Sequence, residues 1–406
     1  SGGAINNSGT LTATNTTISG NKANSQGGGI NSGGTLTVSN SIISNNTAND
    51  NGGGINNSGN ITISNSTISG NKANTQGGGI RNDSRYGGNF LFTVTNSTIS
   101  GNSAGSEGGG VRNGGPLAFS NTTISGNSSG TNGGGIWNDS RYGNGGTQTL
   151  TNVTIAANSA NSGGAFYNNG GTVNIYNSIL ADSTKGDDFA GAQLTNSSDN
   201  IITSGTMNGS TTVTSAQLNL GQLQNNGGST PTIALGAGSA AIGAGKATIS
   251  NASPVNGLDQ RGYNRTTPAV GAFAAGIAVT TTADTVDATD NLTSLREAIT
   301  LANTTPGNDN ISFLFPTGSA PYTITLSSAL PTIVSANTVV GAGTAGTLNI
   351  NGLGASNLII DGNKGNFSIF SIDAGGNLSI SGVTVTKANS SGNGGAFNNQ
   401  GTLAIS

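Results

Sequence analysis

The chain has 406 residues, 69 of them Gly, with 7 % charged and 4 % aromatic residues and a net charge of −3. It has no Cys and no His, which excludes disulfides and thiolate chemistry and removes the commonest general base and transition-metal ligand. No Lys/Arg run suggests nucleic acid, and no apolar stretch approaches the roughly 18 residues of a membrane span.

The hydrophobic fraction of 32 % is low, and scattered residues at that density would leave a chain disordered. Here they fall at fixed phases. From residue 1 to 185 an asparagine recurs at Asn15, Asn40, Asn65, Asn96, Asn121, Asn152 and Asn177, at spacings of 25, 25, 31, 25, 31 and 25 residues. Three positions on stands a branched apolar residue: Ile18, Ile43, Ile68, Ile99, Ile124, Ile155 and Leu180. Six positions on, a second asparagine follows in the first six segments, from Asn21 to Asn158. Fixed periodicity marks a repeat architecture whose units contact only their neighbours.

Each segment opens on a Gly-rich corner before an apolar residue such as Ile30 or Ile55. A short alternating run follows, for example Leu36-Thr37-Val38-Ser39. Runs of period two rich in Thr, Ile and Val read as short strands, and Gly and Asn supply positive-φ corners. About 25 residues with three short strands predict one coil of a right-handed parallel β-helix, with like strands stacked about 4.8 Å apart. The expectation is an Ile ladder filling the bore and an asparagine ladder, Asn15 to Asn177, at a corner, each amide bonding to the next coil. Lys22 and Lys72 share a phase two coils apart and read as a solvated face.

Two coils are six residues longer. Their loops carry near-copies, Asn82-Asp83-Ser84-Arg85-Tyr86-Gly87 and Asn138-Asp139-Ser140-Arg141-Tyr142-Gly143, the second after Trp137. Insertions in a solenoid map to one face, often the binding face. Residues Arg85, Tyr86, Trp137, Arg141 and Tyr142 are therefore the candidate ligand contacts. Asp83 and Asp139 are the best candidates for a carboxylate pair, and Asp–Arg ion pairs that simply hold the loops are the competing reading.

The pattern fades after Leu180, and residues 186–275 read as an irregular β closing cap. Asp187-Asp188 reads as a solvated turn, and Asp259 with Arg261 as an ion pair or turn anchor. A new unit is expected at 276–340, with Ser294-Leu295-Arg296-Glu297 as a capping box opening the one convincing helix, about 294–303. Leu295, Ala298, Ile299 and Ala302 form its apolar face. Strands are expected at 277–279, 311–315, 322–326, 338–340 and 348–350, with coils resuming over 341–406. Residues 394–406 repeat the phase of residues 2–14 at an offset of 392: Gly-Gly-Ala-Phe-Asn-Asn-Gln-Gly-Thr-Leu against Gly-Gly-Ala-Ile-Asn-Asn-Ser-Gly-Thr-Leu. Ser1 falls in mid-pattern, so the expectation is an excised or mature piece, one unit of a tandem array or stacked fibre.

The Gly-Gly-Gly-Ile and Ser-Thr-Ile-Ser-Gly-Asn elements resemble repeats of polymorphic outer-membrane proteins and related bacterial β-helix surface proteins. The stretch from Thr293 to Ile299 resembles the opening of large bacterial β-helix modules. The stretch from Gly238 through Asp259-Gln260-Arg261-Gly262 to Phe273 resembles their choice-of-anchor type closing domain. The order here is permuted: coils, closing cap, opening cap, first coils. The resemblance implies a secreted or cell-surface location and an adhesin or matrix role, without implying any chemistry.

The same fold hosts polysaccharide lyases and hydrolases, so fold alone does not decide function. Their chemistry needs clustered carboxylates, or bound calcium with an Arg or Lys base, and the chain has only 16 acidic residues. The sequence therefore points to an extracellular structural protein that forms a fibre, stalk or adhesin by head-to-tail assembly with itself, without cofactor or metal. The rival is a carbohydrate-binding or polysaccharide-degrading β-helix.

Overall fold

The computed structural model describes residues 2–83, 90–139, 146–194, 196–226, 228–236, 239–265, 268–274, 276–287, 292–304, 309–313, 315, 320–334 and 346–406. The chain forms two compact units. One comprises residues 1–235, 239–262 and 268–274, and the other 236–238, 263–267 and 275–406. Residues 186–275 are thus mostly part of the first unit rather than a unit apart, and 276–340 and 341–406 share one body.

The first unit is a parallel β-helix. One wall is an eight-stranded parallel stack from Ile5–Asn7 through Ile80–Asn82 and Ile136–Asn138 to Phe189–Gly191. A fourteen-stranded sheet forms the rest of the large surface, because Leu117–Ser125 and Thr147–Ala156 run continuously across a corner and join two stacks. Five two-residue strands, from Lys22–Ala23 to Ser128–Ser129, make the narrow third stack. Strand pairing follows the repeat: Ile18 aligns with Ile43, then Ile68, Ile99, Ile124, Ile155 and Leu180. All seven are buried in one core together with Leu36, Val38, Ile61, Ile63, Phe92 and Phe119. Full burial of each such side chain contributes roughly 1.5–3 kcal/mol, so the bore is the main source of stability.

The corners explain the recurrent small and amide residues. Asn15, Asn40, Asn65, Asn96, Asn121, Asn152 and Asn177 all take φ between 45° and 53°. That left-handed region is costly for most L-residues and tolerated by asparagine. A second left-handed corner passes through Gly20, Asn45, Gly70, Gly101, Gly126, Ala157 and Asp182, and a third through the glycines at 27, 52, 77, 108, 133 and 163. At Gly27 a Cβ would lie 2.4 Å from the Ile30 carbonyl oxygen, so that corner admits only glycine.

Two expectations change here. The closing cap expected over 186–275 is in part a continuation of the stack and in part a side segment. Strands Asn200–Ile202 and Ser210–Thr212 extend the stack by further parallel pairing. The following segment, to residue 274, lies along the side of coils four to seven. Thr98 donates to the Pro231 carbonyl at 2.5 Å, Thr123 Oγ1 meets Gln260 Oε1 at 2.7 Å, the Ala272 amide donates to Thr154 Oγ1 at 2.9 Å, and the Gly271 amide to the Asn177 carbonyl at 2.7 Å. Leu218, Leu235, Val270 and Phe273 pack there against Ile179 and Ile201. This side segment also contains two single-turn helices, Ser215–Leu218 and Ala247–Ser250, beyond the one helix expected.

The second unit stacks parallel strands around its own core. Ile277–Val279, Asp309–Phe313, Leu348–Asn351, Asn377–Ser381 and Thr402–Ile405 form one sheet, and Tyr322–Thr325, Leu358–Asp361 and Thr384–Thr386 another. The helix spans Leu295–Thr304. Its capping box is formed: the Ser294 amide donates to Glu297 Oε2 at 2.8 Å, and the Glu297 amide to Ser294 Oγ at 3.2 Å. Leu295, Ala298, Ile299 and Ala302 enter the same core as Ile350, Ile360 and Phe370. The strand expected at 338–340 lies outside the described residues.

Candidate functional site

The insertion-bearing wall is the first place to look. On the strands Ile80–Asn82, Val111–Asn113, Ile136–Asn138 and Phe166–Asn168, alternation sends the flanking residues into the bore and the central residue outward. The central residues align as Asn56, Arg81, Arg112, Trp137 and Tyr167. Arg81 binds Asp83, and Arg112 binds Asp139 as well as Asp83 Oδ1 at 3.5 Å. The Arg112 guanidinium also lies over the Trp137 ring, 5.5 Å from its centroid, within cation–π range. The four charged residues are all buried, Arg112 to 1 % exposure.

This geometry reassigns the sequence candidates. Asp83 and Asp139 come together through Arg112 from the intervening coil, so both carboxylates are engaged by guanidinium groups. A buried, bridged pair is held as charge-compensated structure, the opposite of an acid poised to protonate a leaving group. Trp137 is 2 % exposed, so it packs within the wall and offers no ring face to a ligand. Arg85, Tyr86, Arg141 and Tyr142 lie outside the described residues. Arg112, the residue that joins the two aspartates, was the one missed. Its signal was in the sequence, since it shares the phase of Arg81 one coil on.

The asparagine rows also exchange roles. Among the described residues, the side chains of Asn15, Asn40, Asn65 and Asn96 make no hydrogen bond to the next coil, so the expected corner amide ladder is not formed there. Asn121, Asn152 and Asn177 instead bind the side segment, through the Leu258 carbonyl, Ser250 Oγ and the Lys246 carbonyl. The true amide ladder is the second row. Asn46 Nδ2 donates to Asn71 Oδ1 at 3.0 Å and to the Ile18 carbonyl at 2.9 Å, while Asn46 Oδ1 accepts from the amide and Nδ2 of Asn21. The pattern repeats through Asn71, Asn102 and Asn127 to Asn158. Each buried amide uses all four of its hydrogen-bonding positions. A parallel ladder links Asn57, Asn82 and Asn113 at 3.0 and 2.8 Å.

Asp188 and Asp259 are anchors. Asp187 is exposed, as a solvated turn requires, but Asp188 is buried; its two oxygens accept from the amides of Ser183, Thr203 and Ser204 and from Thr203 Oγ1. Asp259 binds Arg261 at 2.7 Å and accepts from the Ala274 amide, and the Arg261 guanidinium lies 3.7 Å from the Phe273 ring centroid. In the second unit Asp284 and Asp361 are held below the usual carboxylate range. For Asp284, burial is outweighed by Arg296 and Ser327; for Asp361, the Lys387 ammonium at 2.6 Å leads. Asp309 goes the other way: burial pushes its carboxyl to about 7, against a hydrogen bond from Asn264.

One open cavity, of about 500 Å³, lies in the first unit between the side segment and the second corner. Ser100, Ser125, Ala157 and Asp182 line its floor, and Gln222, Leu223 and Ile233 its wall. Hydroxyl, amide and carboxylate groups facing aliphatic side chains suit a neutral polyhydroxylated ligand better than an anion.

No protein-family model matches the chain, and no curated protein matches it. Among solved structures, a variant of an alginate lyase of the PL6 family aligns with 100 % of this chain and 73 % of its own, at 13 % identity and a TM-score of 0.20. A likeness that weak carries no argument about chemistry, and the parallel β-helix assignment rests on the strand stacks themselves.

Proposed function

We propose that the chain is an extracellular structural protein, a segment of a fibre, stalk or adhesin, whose copies join head to tail by coil stacking. The observation that supports this reading is the phase match between residues 394–403 and residues 2–11. Among the described residues, strands Ile5–Asn7 and Thr10–Thr14 pair with the following coil, and Phe397–Asn399 and Thr402–Ile405 with the preceding coil. The two edges carry the same ten-residue pattern. Stacking one on the other would set Phe397 over Ile5, Asn398 over Asn6 and Leu403 over Leu11, the kind of alignment that already pairs Ile5 with Ile30 and Leu11 with Leu36. No helix among the described residues is long and apolar enough to cross a membrane.

The test is electron microscopy and light scattering of the purified chain across a concentration series. Filaments of stacked units are expected, and Leu403→Pro, which obstructs the strand edge, should abolish them. Dispersed monomers at every concentration would sink the assembly reading. The cavity lined by Asp182 and Gln222 favours carbohydrate binding as the second reading; a glycan array separates the two, since a hit lost on Asp182→Ala with no filaments would establish it instead.

A further inference from the structure

The outward face of the long sheet in coils one to four has a composition that the fold does not require. Strands Thr10–Thr14, Thr35–Ser39, Ile61–Ser64 and Phe92–Thr95 pair in parallel without a register shift. Alternation sends Leu11, Leu36, Ile61 and Phe92 inward, and Ala13, Val38, Ile63 and Val94 with them. The outward residues then align in rows: Thr12, Thr37, Thr62 and Thr93 in one, and Thr14, Ser39, Ser64 and Thr95 in the next. No charged or outward aromatic residue stands on these four strands. Core packing dictates the inward residues only, so the outward rows are free to vary, yet every position in them is Thr or Ser.

Most of these hydroxyls are also unused within the protein. Thr14 and Ser39 bond to each other at 2.9 Å. Among the described residues, the hydroxyls of Thr10, Thr12, Thr35, Thr37, Thr62 and Thr93 make no hydrogen bond within the protein. Backbone pairing fixes their spacing at about 4.8 Å between coils and about 6.6 Å between alternate residues of a strand. β-Branching restricts χ1 of the threonines, so the row Thr12, Thr37, Thr62 and Thr93 presents its methyl and hydroxyl groups in a preorganised array, and little ordering cost remains on binding.

Such an array does not fit a small molecule, because nothing encloses it. It does not fit a polyion, because it has no charge to steer one. A crystalline polysaccharide would present ring faces, and the array offers no aromatic side chain to stack on them. The surface it matches is itself an uncharged lattice of water oxygens repeating in two directions at similar spacings. We propose that the threonine face of coils one to four is an ice-binding surface, on which rows of hydroxyls and methyls order water into register with the ice lattice.

The experiment measures thermal hysteresis, ice-crystal shaping and adsorption of the fluorescently labelled full chain to a single ice crystal. The chain is expected to shape ice and to adsorb to a defined crystal plane. Thr37→Lys with Thr62→Lys, both on the outer face, should abolish shaping and adsorption while leaving the circular-dichroism spectrum and melting curve unchanged. Thr47→Lys is the control, because Thr47 aligns with Lys22 and Lys72 on another stack, where lysine already fits; it should keep full activity. Absence of hysteresis, shaping and adsorption in the unaltered chain would overturn the proposal, whatever the variants do. So would equal loss in Thr47→Lys, or adsorption to crystalline cellulose or chitin without any effect on ice.

Discussion

At residue scale, the repeated asparagines divide into two jobs that look alike in sequence. The row from Asn15 to Asn177 is chosen for backbone, since every member sits at positive φ. The coil at residue 382 makes the same point, because Gly382, with φ 61°, takes that phase there. Asn65→Gly should therefore be nearly neutral, whereas Asn65→Ala should cost about 1 kcal/mol. The row from Asn21 to Asn158 is chosen for its amide. Asn71→Ala would leave the Asn46 amide and Nδ2 without an acceptor inside the coil, so a loss of roughly 3 kcal/mol or more is expected. Ala157 breaks the corner rule at φ 56°, and Ala157→Gly should stabilise the chain by about 1 kcal/mol in thermal melts. A destabilised Ala157→Gly would show that the second corner is not under left-handed strain.

At the scale of elements, the outward Arg–Asp cluster and the side seam are the parts that stacking alone does not explain. Arg112 compensates two buried carboxylates from neighbouring coils. Removing one partner of such a cluster typically costs about 3–5 kcal/mol, so Arg112→Ala should lower the urea midpoint sharply, while an exposed change such as Thr62→Val should not. The seam hangs on Gln260, whose Nε2 reaches Thr98 Oγ1 and Thr230 Oγ1 at 3.0 and 2.9 Å and whose Oε1 meets Thr123. Gln260→Ala is expected to leave the coils folded but to open the 215–274 segment to limited proteolysis; an unchanged digestion pattern would contradict the seam. The coil register and the Ile ladder were legible in sequence because burial repeats with the coil. The seam was not, because Thr98, Thr123 and Gln260 are ordinary polar residues until the fold brings them together across more than a hundred positions.

For the whole molecule, two bodies with separate cores predict two calorimetric transitions. Only the second should respond to pH through Asp309. Its carboxyl binds a proton in the folded state up to about pH 7, whereas the unfolded group releases it near 3.8. The folded state holds more protons in that window, so stability falls as pH rises from about 4 to about 7 and then levels off. The expected loss is on the order of a few kcal/mol. Asp309→Asn should flatten this dependence and raise the second transition at pH 8; a second transition insensitive to pH in the unaltered chain would refute it.

The solenoid was legible in the residues alone: the period of 25, the core rows, the corner residues and the helix cap follow from local conformational preference and from burial that repeats in phase. Even the pairing register was implicit, since only one alignment stacks Ile on Ile. Packing in three dimensions settles what periodicity leaves open. It showed which asparagine row carries the amide ladder, because side-chain direction at a corner depends on φ. It also turned Asp83 and Asp139 from a candidate catalytic pair into two arms of one Arg112 bridge, because charge compensation depends on distances between coils that no linear motif records.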